Sequence, residues 1–263
     1  MLELYHHSTS VCAAKVRLVL GEKKLEWTGR YIDIFKGEQY EPAYLKLNPK
    51  GVVPTLVHDG QVIRESTIID EYLDEAFPAP PLMPADPYAR ARMRLWPKMV
   101  DETVHIACAA ITFALYHRFN VLKMAPDELE IYINNTREPV FRERKRGWVH
   151  QGLDAPDVRQ AIKIHDKMLA DMEAALAEST WVAGPDYSLA DVSLTPYVNR
   201  LAMLGMEGMW RNRPRVADWF GRISTRPNFK PAVIEWIPEP MAAAMKKNGT
   251  EQWPYVERTL AAA

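Results

Sequence analysis

The sequence predicts a two-part fold, a small α/β domain with a mixed sheet followed by an all-α domain. Three observations carry this. Over the first 78 residues, short apolar strand runs and helical patterns alternate in the order β-α-β, then β-β-α. A proline-dense stretch follows, Pro78-Ala79-Pro80-Pro81-Leu82-Met83-Pro84, of the kind that separates domains. Beyond it the strand signals cease and helical spacing takes over. The expected divisions are residues 1–78, a linker over 79–86, a helical domain over 87–240 and a C-terminal tail over 241–263.

The elements can be justified in order. Residues 2–5 read as a short buried strand and residues 6–10 as a polar turn. Residues 13–24 carry apolar Val16, Leu18, Val19 and Leu20 beside basic Lys15, Arg17, Lys23 and Lys24, the pattern of an amphipathic helix. Residues 27–34 read as a second strand, parallel to the first because a helix connects them. Residues 36–47 form a loop with a short helix. Pro54 then directly precedes the apolar run Thr55-Leu56-Val57. Proline has no N–H for a sheet ladder and is tolerated at a strand's first residue. A cis Val53-Pro54 bond would turn the chain sharply and leave the Val53 amide and carbonyl able to pair with a peptide-like ligand. Asp59-Gly60 is a hairpin turn signal. Residues 61–64 form the return strand. Glu65-Ser66 then opens a helix over 67–77, where free N–H groups favour a carboxylate ligand.

In the second domain, helices are expected over 87–115, 155–178, 189–204 and 215–224. The segment 118–152 is charged and weakly periodic, with Arg142-Glu143-Arg144-Lys145-Arg146-Gly147, and reads as a solvated face or a poorly ordered insertion. Tyr187-Ser188-Leu189-Ala190-Asp191-Val192 reads as a capping box, with Ser188 at the N-cap, Asp191 at N3 and Tyr187 and Val192 as a hydrophobic staple. Losing that cap should cost about 1 kcal/mol.

Composition narrows the function classes. The 263 residues are 48% hydrophobic and 25% charged with a net charge of −1, so nothing points to nucleic acid or a membrane surface as partner. Two cysteines, Cys12 and Cys108, make no disulfide framework. The start lacks the basic-then-apolar pattern of a signal peptide, and no apolar run is expected to reach the ~18 residues needed to span a bilayer. The expected setting is the cytoplasm. His6-His7 are adjacent on a strand end and point to opposite faces, so no metal site is expected.

Together, a strand-helix start, a Val-Pro turn, a Glu-Ser pair after a hairpin, a proline linker and an S-x-x-D box in a helical domain resemble the cytosolic glutathione transferases. The resemblance spans about residues 2–236 and implies a thioredoxin-like N-terminal domain with an all-α C-terminal domain, the glutathione transferase fold. Ser10-Val11-Cys12-Ala13-Ala14-Lys15-Val16-Arg17 is similar to the start of tetrachlorohydroquinone dehalogenases and zeta-like enzymes. Residues 85–96, with Lys98 and Val100-Asp101-Glu102, resemble the F-type β-etherases of lignin-degrading bacteria, as does the long 118–152 insertion.

The resemblance implies bound glutathione as cosubstrate and a homodimer. A free thiol has a pKa near 8.5, so the site must favour the thiolate. Ser10 stands where serine-type relatives keep the activating hydroxyl, and could equally only cap the helix. Cys12 is the competing candidate, because the matching dehalogenase cysteine attacks a glutathione conjugate and a thiol in a first helical turn is expected to ionise more readily. Val53 and Pro54 would hold the cysteinyl backbone. Glu65, expected to be buried, would meet the γ-glutamyl ammonium, and Ser66 its carboxylate. Gln39 occupies the usual histidine position, so either Gln39 or a lysine, Lys36 or Lys50, would meet the glycyl carboxylate. Asp101 would reach the partner subunit's γ-glutamyl amine. A small hydrophobic aromatic substrate would lie in a cleft between the domains, near Trp96, His105, Ile106, Phe113, His117 and Trp210. Each of these is also readable as ordinary packing. The expected function is attack of glutathione thiolate on an aromatic electrophile, with β-aryl ether cleavage as its sharper form. The alternatives are Cys12-dependent dehalogenation or deglutathionylation, and glutathione binding without turnover.

Overall fold

A computed structural model describes residues 1–136 and 138–262. The chain divides into two compact units.

The first unit comprises Met1–Lys98, Glu178–Pro196 and Trp219–Pro238. Its sheet holds β1 (Leu2–His6), β2 (Thr28–Tyr31), β3 (Thr55–His58) and β4 (Gln61–Arg64) in the order β2-β1-β3-β4. As the β-α-β connection requires, β1 and β2 are parallel. The hairpin β3–β4 is antiparallel and β3 runs antiparallel to β1. Asp59 and Gly60, at φ 48° and 83°, supply the two left-handed residues of a tight hairpin. Leu4 and Leu56 on the central strands are fully buried. Helix α1 (Val11–Glu22) packs against α3 (Ser66–Ala76), and α2 (Pro42–Leu47) precedes β3.

Helix α1 corrects one reading of the sequence. Its basic residues do not form a solvated face, since Lys15, Arg17 and Lys23, at its C-cap, are all buried. Each buried cation is matched to particular acceptors, as burial demands. The Lys23 ammonium donates to the carbonyls of Phe77 (2.7 Å) and Pro80 (2.8 Å) and pairs with Asp74 (2.7 Å). Asp74 in turn accepts the amides of Leu82 and Met83. The proline-dense stretch is therefore pinned to the first unit rather than loose. Residues 219–238, expected within the helical domain, group with the first unit for similar reasons. Arg226 forks onto Glu22 at 3.0 and 2.6 Å, and Arg17 Nε donates to the Ala232 carbonyl at 2.7 Å.

The capping box is present and does more than cap. The Asp191 carboxylate accepts from the Ser188 amide (3.1 Å), the Val182 amide (3.2 Å) and the Trp219 indole (2.8 Å), while Ser188 Oγ accepts from the Ala190 amide. Burial pushes the Asp191 carboxyl up to about 6 despite these donors.

The second unit comprises Met99–Ala177, Tyr197–Asp218 and Glu239–Ala263. Helix α4 (Pro87–Val121) begins in the first unit and continues here through π-helical turns at Val100–Val104 and Phe113–His117. It contains a window apolar enough to span a membrane, with a mean hydropathy of 1.3, but 61% of that window is buried within the protein, the character of a core helix. The 118–152 insertion is not an unstructured charged face. It forms α5 (Pro126–Asn134) and α6 (Pro139–His150), which bury Leu129, Ile133, Trp148 and Val149 and face each other through Arg146 on Glu130 at 2.8 Å. Helices α7 (Pro156–Glu178), α8 (Leu189–Met203) and α9 (Pro214–Ser224) follow, with the start of α8 and the end of α9 belonging to the first unit. The segment expected as a tail is α10 (Glu239–Ala261), with Met245 and Val256 buried. Gly249 makes its close packing feasible, because a Cβ there would lie 1.7 Å from the Leu204 carbonyl oxygen.

Candidate active site

The sheet register brings the candidate residues of the first unit to one end. Tyr5 pairs with Thr55, Thr55 with Arg64, and His6 with Tyr31. The turn after β1 (7–10), the Val53-Pro54 turn before β3 and Glu65-Ser66 after β4 therefore gather beside the start of α1.

The Val53-Pro54 peptide is cis. Its flank is held rigidly. The Val52 carbonyl accepts from the Tyr44 hydroxyl (2.7 Å) and the Asn48 amide (2.9 Å), and both side chains also reach Thr55 Oγ1. Gly51, at φ 63°, lies where a Cβ would come within 2.8 Å of the Tyr40 ring. Among the described residues, the Val53 amide and carbonyl make no hydrogen bond within the chain. A half-buried backbone donor and acceptor left in this way can take an extended ligand in strand-like pairing.

Glu65 is the N-cap of α3 at φ 65°, and no side chain caps the helix there. It is not buried. Its side chain is 55% exposed and pairs with Lys50 at 2.7 Å. The reason lies in the strand order, since β4 is an edge strand and the residue leaving it sits at the rim. An exposed carboxylate carries little desolvation cost, so the fold does not require a cationic ligand at Glu65. Two candidate ligand-binding side chains, Lys50 and Glu65, instead meet each other in an exposed ion pair of the kind worth at most about 1 kcal/mol. Ser66 is buried, and its Oγ accepts from the Lys15 ammonium at 3.1 Å, while Thr67 Oγ1 accepts from it at 2.7 Å.

Gln39 is buried in the short turn Glu38–Tyr40 and donates its amide to the Ile34 carbonyl at 3.3 Å, leaving Oε1 without a partner. That orientation presents an acceptor, which suits an N–H better than a carboxylate. Ser10 is the N-cap of α1, its Oγ accepting from the Ala13 amide at 3.2 Å, so its own O–H remains to donate. Cys12 is half-buried in the first turn, and neither it nor Cys108 is in a disulfide. Arg17 braces this turn by donating to the carbonyls of His7 (3.4 Å) and Ser8 (3.2 Å). His6 is walled by Trp27 and Trp236, and burial followed by the Arg17 charge pushes its imidazole down to about 4.

Trp96 belongs to the first unit. In the second, Phe113 and His117 are brought together with ring centres 5.7 Å apart, and Phe113 also packs on Trp148 at 5.9 Å. His105 Nδ1 lies 3.1 Å from the Tyr197 hydroxyl. Ile106 is half-buried, Asp101 is exposed on the first π-helical turn, and Trp210 is buried in a separate short turn. Among the described residues no three His, Cys, Asp or Glu side chains gather as a metal-holding group. Sequence reasoning missed Lys15, Arg17, Tyr44 and Asn48 as supports of this end of the sheet. The available signal was a run of cations on a helix that the strand order obliges to be buried.

Comparison with known proteins agrees with this geometry. Residues 4–81 match the glutathione S-transferase N-terminal domain and residues 155–222 the glutathione S-transferase C-terminal domain. The protein LigF of Sphingobium sp. (strain NBRC 103272 / SYK-6) is 33% identical over 87% of this chain and 91% of its own. The tetrachloro-p-hydroquinone reductive dehalogenase of Sphingobium chlorophenolicum is 30% identical over 89% and 96%. The crystal structure of the β-etherase LigF from strain SYK-6 superposes with a TM-score of 0.78 at 32% identity, covering 88% of this chain and 98% of that one. A fold of a four-stranded mixed sheet and helical second unit, with both family domains in order, makes this chain a member of the glutathione S-transferase family.

Proposed function

We propose that the protein is a glutathione transferase whose bound glutathione thiolate attacks a hydrophobic aromatic electrophile, in the sharper form the β-carbon of a β-aryl ether ketone. The carrying observation is the arrangement at the sheet end, with the Val53 backbone unpaired beside the uncapped start of α3. A γ-glutamyl tripeptide offers what these groups lack, a backbone to pair with Val53 and a carboxylate for the Ser66 hydroxyl and the α3 amides. Its ammonium can replace Lys50 at Glu65, and its glycyl carboxylate can then take Lys50. The Ser10 O–H, at the positive end of α1, is the donor for the sulfur. In the reaction the C–S bond forms as the C–O bond breaks, and the phenolate leaves with the bonding electrons. Apolar Ile68, Tyr88 and Leu95, all more than half exposed in the first unit, support a second copy as partner.

One test is phenol release from a fluorogenic β-aryl ether ketone. We expect release that requires glutathione and yields the glutathionyl ketone in equal amount. Phenol release without glutathione, or none at all with an aryl ether panel, contradicts the ether reading. A second reading, attack of the Cys12 thiolate on the sulfur of a glutathione conjugate, in which a Cys12–glutathione disulfide forms as the C–S bond breaks and the released carbon takes up a proton, is favoured by one observation, the half-buried position of Cys12 in the first turn of α1.

A further inference from the structure

We infer that Lys15 is a positioning residue for ligand binding, fixing the direction in which the Ser66 hydroxyl donates. This rests on the glutathione reading and names a residue that acts through the site rather than in it. Lys15 is fully buried, and a buried ammonium must be matched by acceptors. It donates to Ser66 Oγ at 3.1 Å and Thr67 Oγ1 at 2.7 Å, linking the second turn of α1 to the first turn of α3.

An ammonium has three donors and no acceptor, whereas a hydroxyl has one donor and two lone pairs. Ser66 Oγ can therefore only accept from Lys15, and its hydrogen must point elsewhere. The usual refuge of a helical serine proton is the carbonyl three or four residues back in the helix. Ser66 is the first residue of α3, so no preceding helical turn offers one. The O–H is left to donate at the helix start, where the orphan amides of the first turn also point. Asp70, four residues on from Ser66 and so on the same helix face, is buried as well. Without Lys15 the Ser66 hydroxyl would rotate among several partners, and the ligand carboxylate would lose an aligned donor.

The test reads carboxylate recognition separately from folding. Dissociation constants are measured calorimetrically for glutathione and for its analogue γ-aminobutyryl-cysteinyl-glycine, which lacks the γ-glutamyl α-carboxylate. Wild-type protein should prefer glutathione, and Lys15→Met should shrink that preference by about tenfold to a hundredfold, the range of a lost hydrogen bond to a charged group. Ser66→Ala, which leaves the Lys15 bond to Thr67 in place, should shrink it to a similar degree and keeps the test decisive if Lys15→Met does not fold. A purely structural lysine would weaken both ligands alike and leave the preference unchanged, which would overturn the inference, as would a Ser66→Ala variant with wild-type preference. Failure of wild-type protein to bind glutathione would instead overturn the functional reading beneath it.

Discussion

Ser10→Ala should lower glutathione-dependent turnover by about 10²–10³-fold, the usual effect of removing one donor aimed at developing or stabilised negative charge. The geometry makes the effect separable from folding. Ser10 Oγ accepts the Ala13 amide while its proton remains available, so the side chain that caps α1 can also be the donor to the sulfur that the proposed reaction needs. Loss of the cap costs about 0.5–2 kcal/mol, which for a chain of this size is a few degrees in melting temperature. Ser10→Gly distinguishes the roles, because glycine costs only a few tenths of a kcal/mol at an N-cap. It should melt close to wild type and still lose turnover. Cys12→Ala should keep turnover within a few-fold. The reverse outcome, activity lost with Cys12 and kept without the Ser10 hydroxyl, would assign the chemistry to the thiol.

Asp191→Ala should be the most destabilising single change among the polar side chains of the first unit. Removing the carboxylate strands the Val182 amide, the Ser188 amide and the Trp219 indole N–H, all buried. At about 1–3 kcal/mol for each unsatisfied donor, partly offset by relief of a buried charge, the net loss at pH 7 is roughly 3–5 kcal/mol, measurable by urea unfolding. The gap should depend on pH in a defined sense. The Asp191 carboxyl titrates at about 6 in the fold, above its ordinary value. Between roughly pH 4 and 6 the folded state therefore holds a proton that the unfolded state has released. Stability from this group is full below that window and declines as pH rises through it, by up to about 3 kcal/mol. Wild type and Asp191→Ala should therefore differ more at pH 5 than at pH 8. A constant difference would mean that the carboxyl is not raised.

The elements were legible where local chemistry alone decides them. The Asp59-Gly60 turn, the Pro54 strand start and the Ser188 cap each follow from what one residue type permits the backbone to do. What escaped the sequence depended on partners far away in the chain. Lys15, Arg17 and Lys23 are charged residues that are rarely buried on their own, and the packing of α3, the proline stretch and residues 230–236 around α1 is what buries them. Glu65 failed in the opposite direction, since its exposure follows from β4 being the sheet edge. The helix at 239–261 was hidden because two poor helix formers interrupt it, Pro254 and Gly249, the latter marking its closest approach to Leu204. At the sheet end, the Val53-Pro54 turn and the Ser66 helix start were legible as local structure, while Tyr44, Asn48 and Lys15, which brace them from elsewhere in the chain, were not.

The sheet end carrying Val53, Glu65 and Ser66 is proposed to bind glutathione. Thermal melting of the purified protein across a glutathione series tests it most directly. Binding to the native state alone should raise stability by about 2.7 kcal/mol at one hundred times the dissociation constant, or roughly 5–10 °C, with a shift that keeps growing with the logarithm of concentration. A melting temperature that does not move with glutathione would contradict the claim.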